Sequence, residues 1–385
     1  MVNYPVTKGF LFYIYFPSFL IYFLFYGTSF RINIPIVYFM KKNFTLLFIF
    51  TFLKIFGQTH YEIIGFSERY KGLLVIEKGY ENEIFKKGSI AVYESKTNTK
   101  IIEIHSDELT FELETSGVVK TSMLNIPYGK QSILIYKDFN FDGVKDLAIM
   151  DGQFSCYHGP SFKIYLEINN KLTFSPEFTR LAQEYCGMFQ TDDKTKTIHT
   201  ITKSGCCWHQ YSTFKVVNNI PTPILIVEEN AAFTPFYSTT ITKWNGNKKN
   251  TKTTKTLDLK YDGLSKILSF NLIKNKKRAV LFSMNGLALN YALIKPDGTV
   301  EFSFPIELIG GDYNFRLNKT KDTLAFKNKG VTYQVYQTIK ESKINSIGIL
   351  VNIKGKKYNL KGDLNSIEGS LQALKNIKLN NLIVE

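Results

Sequence analysis

The sequence predicts an all-β protein built from antiparallel sheets, and three observations predict it. From Glu62 onward, short runs rich in Val, Ile, Phe, Tyr and Thr alternate apolar with polar residues, the period of two that marks a strand with one buried face. Turn residues separate these runs at short intervals, as in a chain of hairpins. Helical periodicity is scarce, and only Phe178–Tyr185 and Ser366–Lys375 read as fair short helices.

The 385 residues allow two domains, each with its own core. Residues 1–39 contain fourteen Phe or Tyr and no acid. Two readings fit them: a membrane-spanning or signal-anchor segment from Gly9 to Gly27, or leader sequence read from a start placed too far upstream. We favour the second, because a complete export signal begins afresh at Met40. Lys41 and Lys42 precede an apolar run from Phe44 to Leu53, interrupted by Lys54, and Gly57 offers a small residue for cleavage before Gln58. Residues 40–57 are therefore expected to be a signal peptide. The mature chain is expected in the periplasm or at the cell surface, anchored to the membrane only if residues 1–39 belong to it.

Residues 58–240 are expected to form a first β domain. "GSIAVYESKTNTKIIEIH" reads as two strands about a polar turn. "DFNFDGVKDL", from Asp138 to Leu147, is the most informative stretch. Asp138, Asn140 and Asp142 occupy positions 1, 3 and 5 of a loop. Gly143 at position 6 permits a sharp turn, Val144 at position 7 offers its carbonyl, and Asp146 stands at position 9. Calcium takes six to eight hard oxygens, several of them carboxylate, and this spacing supplies them. The helix–loop–helix version of such a loop needs Glu at position 12, where this chain has Ile149. "SILIYK" before the loop and "LAIM" after it read as strands, so the loop is expected on a β-hairpin, with Asp146 closing the cage and Asp151 a further candidate.

All four cysteines, Cys156, Cys186, Cys206 and Cys207, lie after the signal, and an even count outside the cytoplasm suggests two disulfides. Three pairings are possible. Crossed pairs from the Cys206–Cys207 doublet to Cys156 and Cys186 are preferred here, since a bond between neighbours is strained. Cys156-x-His158 and Cys207-x-His209 suggest zinc as a rival, but the spacing matches no common module.

"KWNGNKKNTKTTKT", Lys243–Thr256, lacks apolar period and reads as a linker or long loop, so the boundary is placed at residues 241–257. Residues 258–385 are expected to form a second, basic β domain. "SMNGLALNYALIKPDGTVEFSFP" holds turns at Asn285-Gly286 and Pro296-Asp297-Gly298, and "IGILVNIKGKKYNL" puts Ile347, Ile349, Val351 and Ile353 on one face before a turn at Gly355.

The net charge of +15 is uneven: +5 over residues 1–57, −4 over 58–230 and +14 over 231–385. A basic half can attract nucleic acid, anionic lipid or anionic wall polymers. The lysines are spread out and no basic helix is present, so solvated lysines on strand faces and turns are the favoured reading, and nucleic acid is not an expected partner. An enzyme finds little support: HExxH, Gly-x-Ser-x-Gly and a phosphate loop are all missing from the sequence, and the doublets Asp192-Asp193 and Glu228-Glu229 point apart if they lie on strands.

"YKDFNFDGVKDLAI" and the following "YLEINNKLTFSPEF" resemble exported bacterial proteins with one calcium loop on a β-propeller-like or curved antiparallel sheet domain, and the loop is similar to those of integrin-type FG-GAP repeats. The resemblance covers roughly residues 85–220. It implies Ca²⁺ held by Asp138, Asn140, Asp142, Val144 and Asp146. It also implies a role like that of periplasmic immunity proteins, which bind and inhibit lysozyme-like peptidoglycan hydrolases. The chain departs from such relatives in lacking a lipid-attachment cysteine near Gly57 and in adding the basic C-terminal region. The aromatic stretch Phe154–His158 is a candidate inhibitory loop. The second expectation is a non-enzymatic envelope scaffold or adhesin-like protein whose basic half rests on anionic polymer.

Overall fold

The computed structural model describes residues 58–123, 131–305 and 314–385. The upstream segment and the signal peptide lie outside the described residues. Gln58–Glu385 forms one compact unit. Among the described residues no helix is long and apolar enough to cross a membrane.

The unit is all-β, as the hydropathy alternation predicts. Its strands fall into five sheets among the described residues. The first is a meander of β1 (Thr59–Ile63), β2 (Tyr70–Ile76), β3 (Lys86–Glu94) and β4 (Lys100–Leu109). The second is a meander of β5 (Leu134–Lys137), β6 (Asp146–Ser155), β7 (Gly159–Ile168) and β8 (Lys171–Phe174). An α-helix, α1 (Pro176–Gln183), then leads to the third sheet. This contains β9 (Gln190–Asp192), β10 (Thr197–Ser204), β11 (Trp208–Val217), β12 (Ile220–Phe233), β13 (Phe236–Asn245) and β14 (Lys248–Leu257). The fourth runs through β15 (Leu264–Asn271), β16 (Arg278–Met284), β17 (Ala288–Ile294) and β18 (Val300–Phe304). The fifth runs through β19 (Phe315–Asn318), β20 (Thr323–Asn328), β21 (Val331–Lys340), β22 (Lys343–Ile353) and β23 (Lys356–Lys361). Late in the chain, β24 (Glu368–Gly369) returns to pair with β15, and β25 (Leu382–Val384) pairs parallel with β19.

Alternation decides which face is buried. In β2, Tyr70, Gly72, Leu74 and Ile76 are inside while Lys71, Leu73 and Val75 between them are half-buried. β6 breaks this pattern, with all but one of its residues buried, because it is covered on both faces. Two large apolar clusters result. One joins the first two sheets with α1, Ile198 and Phe214, and the other joins the fourth and fifth sheets around Phe315, Phe326 and Tyr291.

The turns at Asn285-Gly286, Pro296-Asp297-Gly298 and Gly355 all fall between strands as expected. Ile347, Ile349 and Val351 are buried, while Ile353, beside the turn, is exposed. Phe178–Tyr185 is largely α1, shifted two residues earlier. Ser175 caps it by accepting from Phe178 N, and Pro176 supplies a first-turn residue that needs no donor. The other helical expectation, Ser366–Lys375, becomes two short 3₁₀ turns about β24 instead.

The linker expectation is corrected. Lys243–Thr256 belongs to the β13–β14 hairpin, with Asn245 paired to Lys248 across the Gly246 turn. Threonine hydroxyls pair across it, Thr240 with Thr253 at 2.9 Å and Thr242 with Thr251 at 3.1 Å. The segment is polar because β14 is an exposed edge, and β-branched threonines hold an extended backbone without an apolar face.

Phe178 has no exposed surface and its ring lies 5.8 Å from that of Phe189. Phe178→Ala is expected to cost about 3–5 kcal/mol in urea unfolding, against about 1 kcal/mol for removal of the cap by Ser175→Ala. Equal small losses would mean that α1 stands outside the cooperative core.

Candidate functional site

The site is built on β6. The strand starts at Asp146, at the end of the acidic loop, and finishes at Ser155, where the aromatic turn begins. β5 and β6 pair antiparallel with Lys137 opposite Asp146, so residues 138–145 form the hairpin connection that the sequence predicts.

The loop is held by its own acids. Asp138 accepts from Phe141 N at 2.7 Å and from Gly143 N at 2.9 Å. Asp142 accepts from Val144 N at 2.8 Å. Asn140 accepts from Asp142 N at 3.2 Å and donates to Asp142 at 2.8 Å and to Asn219 of the β11–β12 turn at 3.0 Å. Gly143 has φ +91°, the left-handed region that favours glycine at this position. Phe139 is buried against Phe189, with centroids 5.3 Å apart, and so fastens the loop to the core.

Asp146 differs from the other two carboxylates because it has no exposed surface. Its oxygens accept from Phe139 N at 2.8 Å and Glu167 N at 2.9 Å. Burial pushes its pKa up to about 7; the two amides oppose that shift, and the charges of Asp142 and Asp138 add to it. None of the described ion pairs reaches these three acids. The described residues contain no group of three or more His, Cys, Asp or Glu arranged to hold a metal, and the loop carboxylates are turned onto backbone amides. The donor set still fits a hard cation. Each carboxylate oxygen keeps a second lone pair, and a cation would offset three negative charges, one of them buried. Asp138, Asn140, Asp142, Asp146 and the Val144 carbonyl would hold it. Asp151 is committed elsewhere, accepting from Ser161 at 2.6 Å and Gln183 at 2.7 Å.

At the far end of β6 the register with β7 shifts on both sides of Gly152. Gly152 has φ +143°, and a Cβ there would come within 2.4 Å of the Phe154 ring, so glycine is what allows that ring its position. Cys156–His158 then make a tight turn in which Tyr157 and His158 both have positive φ, 55° and 58°. Consecutive left-handed residues also make the hairpin turns at Asn169-Asn170, Asn218-Asn219 and Glu341-Ser342, so this is the geometry of a tight hairpin turn, here carrying bulky side chains. Phe154 is 61% exposed and Tyr157 60% exposed.

All three residues of this turn are held by contacts to other elements. Cys156 is bonded to Cys186, just after α1. Gly205 N, in the β10–β11 turn, donates to the Tyr157 hydroxyl, and Lys203 Nζ lies 4.6 Å from the Tyr157 ring centre. His158 stands edge-on to Phe85 at 5.0 Å and 3.6 Å from Glu108.

The crossed disulfide expectation is corrected: Cys206 bonds to Cys207, and all four cysteines are oxidised. The doublet lies in the β10–β11 turn and not in a strand, so its side chains are not sent to opposite faces, while the end of α1 brings Cys186 to a Cα distance of 4.7 Å from Cys156. Disulfide bonding also removes the zinc alternative. The grip of Tyr157 on Gly205 carries no sequence signal, since the two residues are 48 apart.

No family model matches the chain, and no curated protein matches it. Among solved structures, a Xanthomonas type IV secretion system related protein is 16% identical with TM-score 0.39, over 50% of this chain and 92% of that one. TolB from Acinetobacter baumannii is 7% identical with TM-score 0.18, over 80% of this chain and 67% of that one. The β-propeller domain of the Trilobed protease from Pyrococcus furiosus is 10% identical with TM-score 0.17, over 80% of this chain and 98% of that one. These scores are too low for any of the three to contribute to the functional reading.

Asp142→Ala is expected to lower the melting temperature in calcium and to change it little in chelator; equal losses in both would count against a cage. Cys156→Ser with Cys186→Ser opens a 30-residue separation and is expected to cost about 3–4 kcal/mol in urea unfolding. Cys206→Ser with Cys207→Ser closes no intervening loop and is expected to cost far less.

Proposed function

We propose that this protein is an exported, calcium-stabilised β protein that binds and inhibits a lysozyme-like peptidoglycan hydrolase. The observation that carries this reading is the turn Phe154–His158. It presents two exposed aromatic rings at a tight turn, clamped by a disulfide and by Gly205. A rigid aromatic projection loses little entropy on binding and suits a cleft, and binding energy concentrates in such residues. The acidic loop supports the reading from the other end of the same strand, because it is the feature shared with the calcium-loop immunity proteins that the sequence resembles. In this reading calcium is structural: it balances the charge at Asp146 and fixes the hairpin from which β6 runs to the turn.

A non-enzymatic envelope scaffold is the second reading. The charge of +14 over residues 231–385 favours it, since that half would rest on anionic polymer.

Titration of disulfide-intact protein against a panel of lysozyme-type hydrolases on cell-wall substrate separates the two. The inhibitor reading expects stoichiometric inhibition that fades in chelator. It also expects Tyr157→Ala to weaken inhibition by about 2 kcal/mol or more, roughly thirtyfold, at little cost to the melting temperature. Absence of inhibition across the panel, with calcium still raising the melting temperature, would favour the scaffold.

A further inference from the structure

Four lysines that are scattered in the sequence line one groove. Lys252 and Lys255 come from β14, Lys295 from the β17–β18 turn and Lys329 from the β20–β21 turn, so three different sheets contribute. Thr253, Thr254, Thr299 and Ser303 add hydroxyls to the same walls. Two acids are present as well, and neither offsets the lysines fully. Glu301 is paired with Lys277, which stands outside the groove. Asp297 accepts from Thr299 N at 2.9 Å and from the Thr299 hydroxyl at 2.6 Å. These bonds hold its carboxyl below the usual range, with Lys295 and Lys252 acting in the same direction.

Lys255 is the informative member. It is half-buried, with its ammonium 4.0 Å from the centre of the Phe236 ring and 3.0 Å from Ser303 Oγ. Burial holds its pKa below the ordinary lysine value. None of the described ion pairs includes Lys252, Lys255, Lys295 or Lys329. A half-buried cation without an acid is costly to keep charged. Lysines along the exposed edge of β14 have a simpler role, since charge on an edge strand blocks pairing with other chains. That role does not account for a lysine turned inward against Phe236 and Ser303, or for Lys295 and Lys329 arriving from other sheets.

The donor chemistry narrows the ligand. Ammonium groups and hydroxyls act as separate point donors that can surround a tetrahedral oxyanion, and lysine is a recurrent phosphate binder acting as a point charge. We infer that the groove between β14, the β17–β18 hairpin and the β20–β21 turn binds a phosphate group. Lys255 and Ser303 form its floor, and Lys252, Lys295 and Lys329 form its rim. This inference stands apart from the inhibitor reading, because it uses neither the acidic loop nor the aromatic turn. The phosphate would belong either to a small free ion or to a phosphate-bearing polymer laid along the open groove.

Calorimetric titration of the full-length, disulfide-intact protein with inorganic phosphate and with long-chain polyphosphate tests it. Saturable binding that weakens as salt rises is expected with at least one probe. Saturation by inorganic phosphate identifies a small-ion site, and saturation by polyphosphate alone identifies a polymer site. Lys252→Gln with Lys295→Gln is expected to weaken binding by about tenfold or more, at unchanged melting temperature. Lys356→Gln with Lys357→Gln removes the same charge from β23, outside the groove, and is expected to change affinity less than about twofold. Lys255→Met, which keeps an apolar stem over Phe236, is expected to weaken binding as the first pair does. Failure of both probes to saturate, or equal losses from the groove and β23 pairs, would overturn the inference.

Discussion

The carboxylate of Asp146 is the constraint on which the first half of the molecule turns. It is a fully buried acid, and its two oxygens bind the amides of Phe139 and Glu167. The first amide belongs to the acidic loop and the second to β7. The side chain of Glu167 continues the path, accepting from the Tyr70 hydroxyl at 3.0 Å and pairing with Arg69. Loop, second sheet and first sheet are thus joined through one polar chain that crosses an apolar core. Such a chain is stable only when its groups are satisfied, because a buried charge without compensation is costly. The amides satisfy the geometry of Asp146, but they do not cancel the charge that it shares with Asp138 and Asp142.

β6 carries the consequence outward. The same strand has the buried acid at its start and the exposed aromatic turn at its end. Between them most of its side chains are buried, so a shift at one end cannot be absorbed by a loose middle. The register shifts about Gly152 re-aim the strand just before the turn, and Cys186 and Gly205 hold the turn from two other elements. An acidic hairpin that locks the strand therefore also sets the presentation of Phe154 and Tyr157.

Much of this was legible in the sequence, for reasons that differ by element. The hairpin was legible because Asp138, Asn140, Asp142, Gly143 and Asp146 have a fixed spacing that few turns share, and because β-branched runs flank them. The strands of the fourth and fifth sheets were legible from alternation, as at Ile347, Ile349 and Val351. The β13–β14 hairpin was not, because its strands lack an apolar period; Asn245-Gly246 and the repeated threonines were the available signal. The disulfide pairing was illegible because it depends on where α1 delivers Cys186 and on the doublet lying in a turn. The lysine groove was hidden for a similar reason: Lys255, Lys295 and Lys329 are separated in the chain and meet only through the packing of three sheets.

A divalent cation in the hairpin would balance Asp146 together with Asp138 and Asp142. The most direct measurement is a calorimetric titration of the chelator-treated protein with calcium. One ion is expected to bind per chain, with binding abolished in Asp138→Asn/Asp142→Asn. No saturable calcium binding, or binding that survives in that variant, would contradict it.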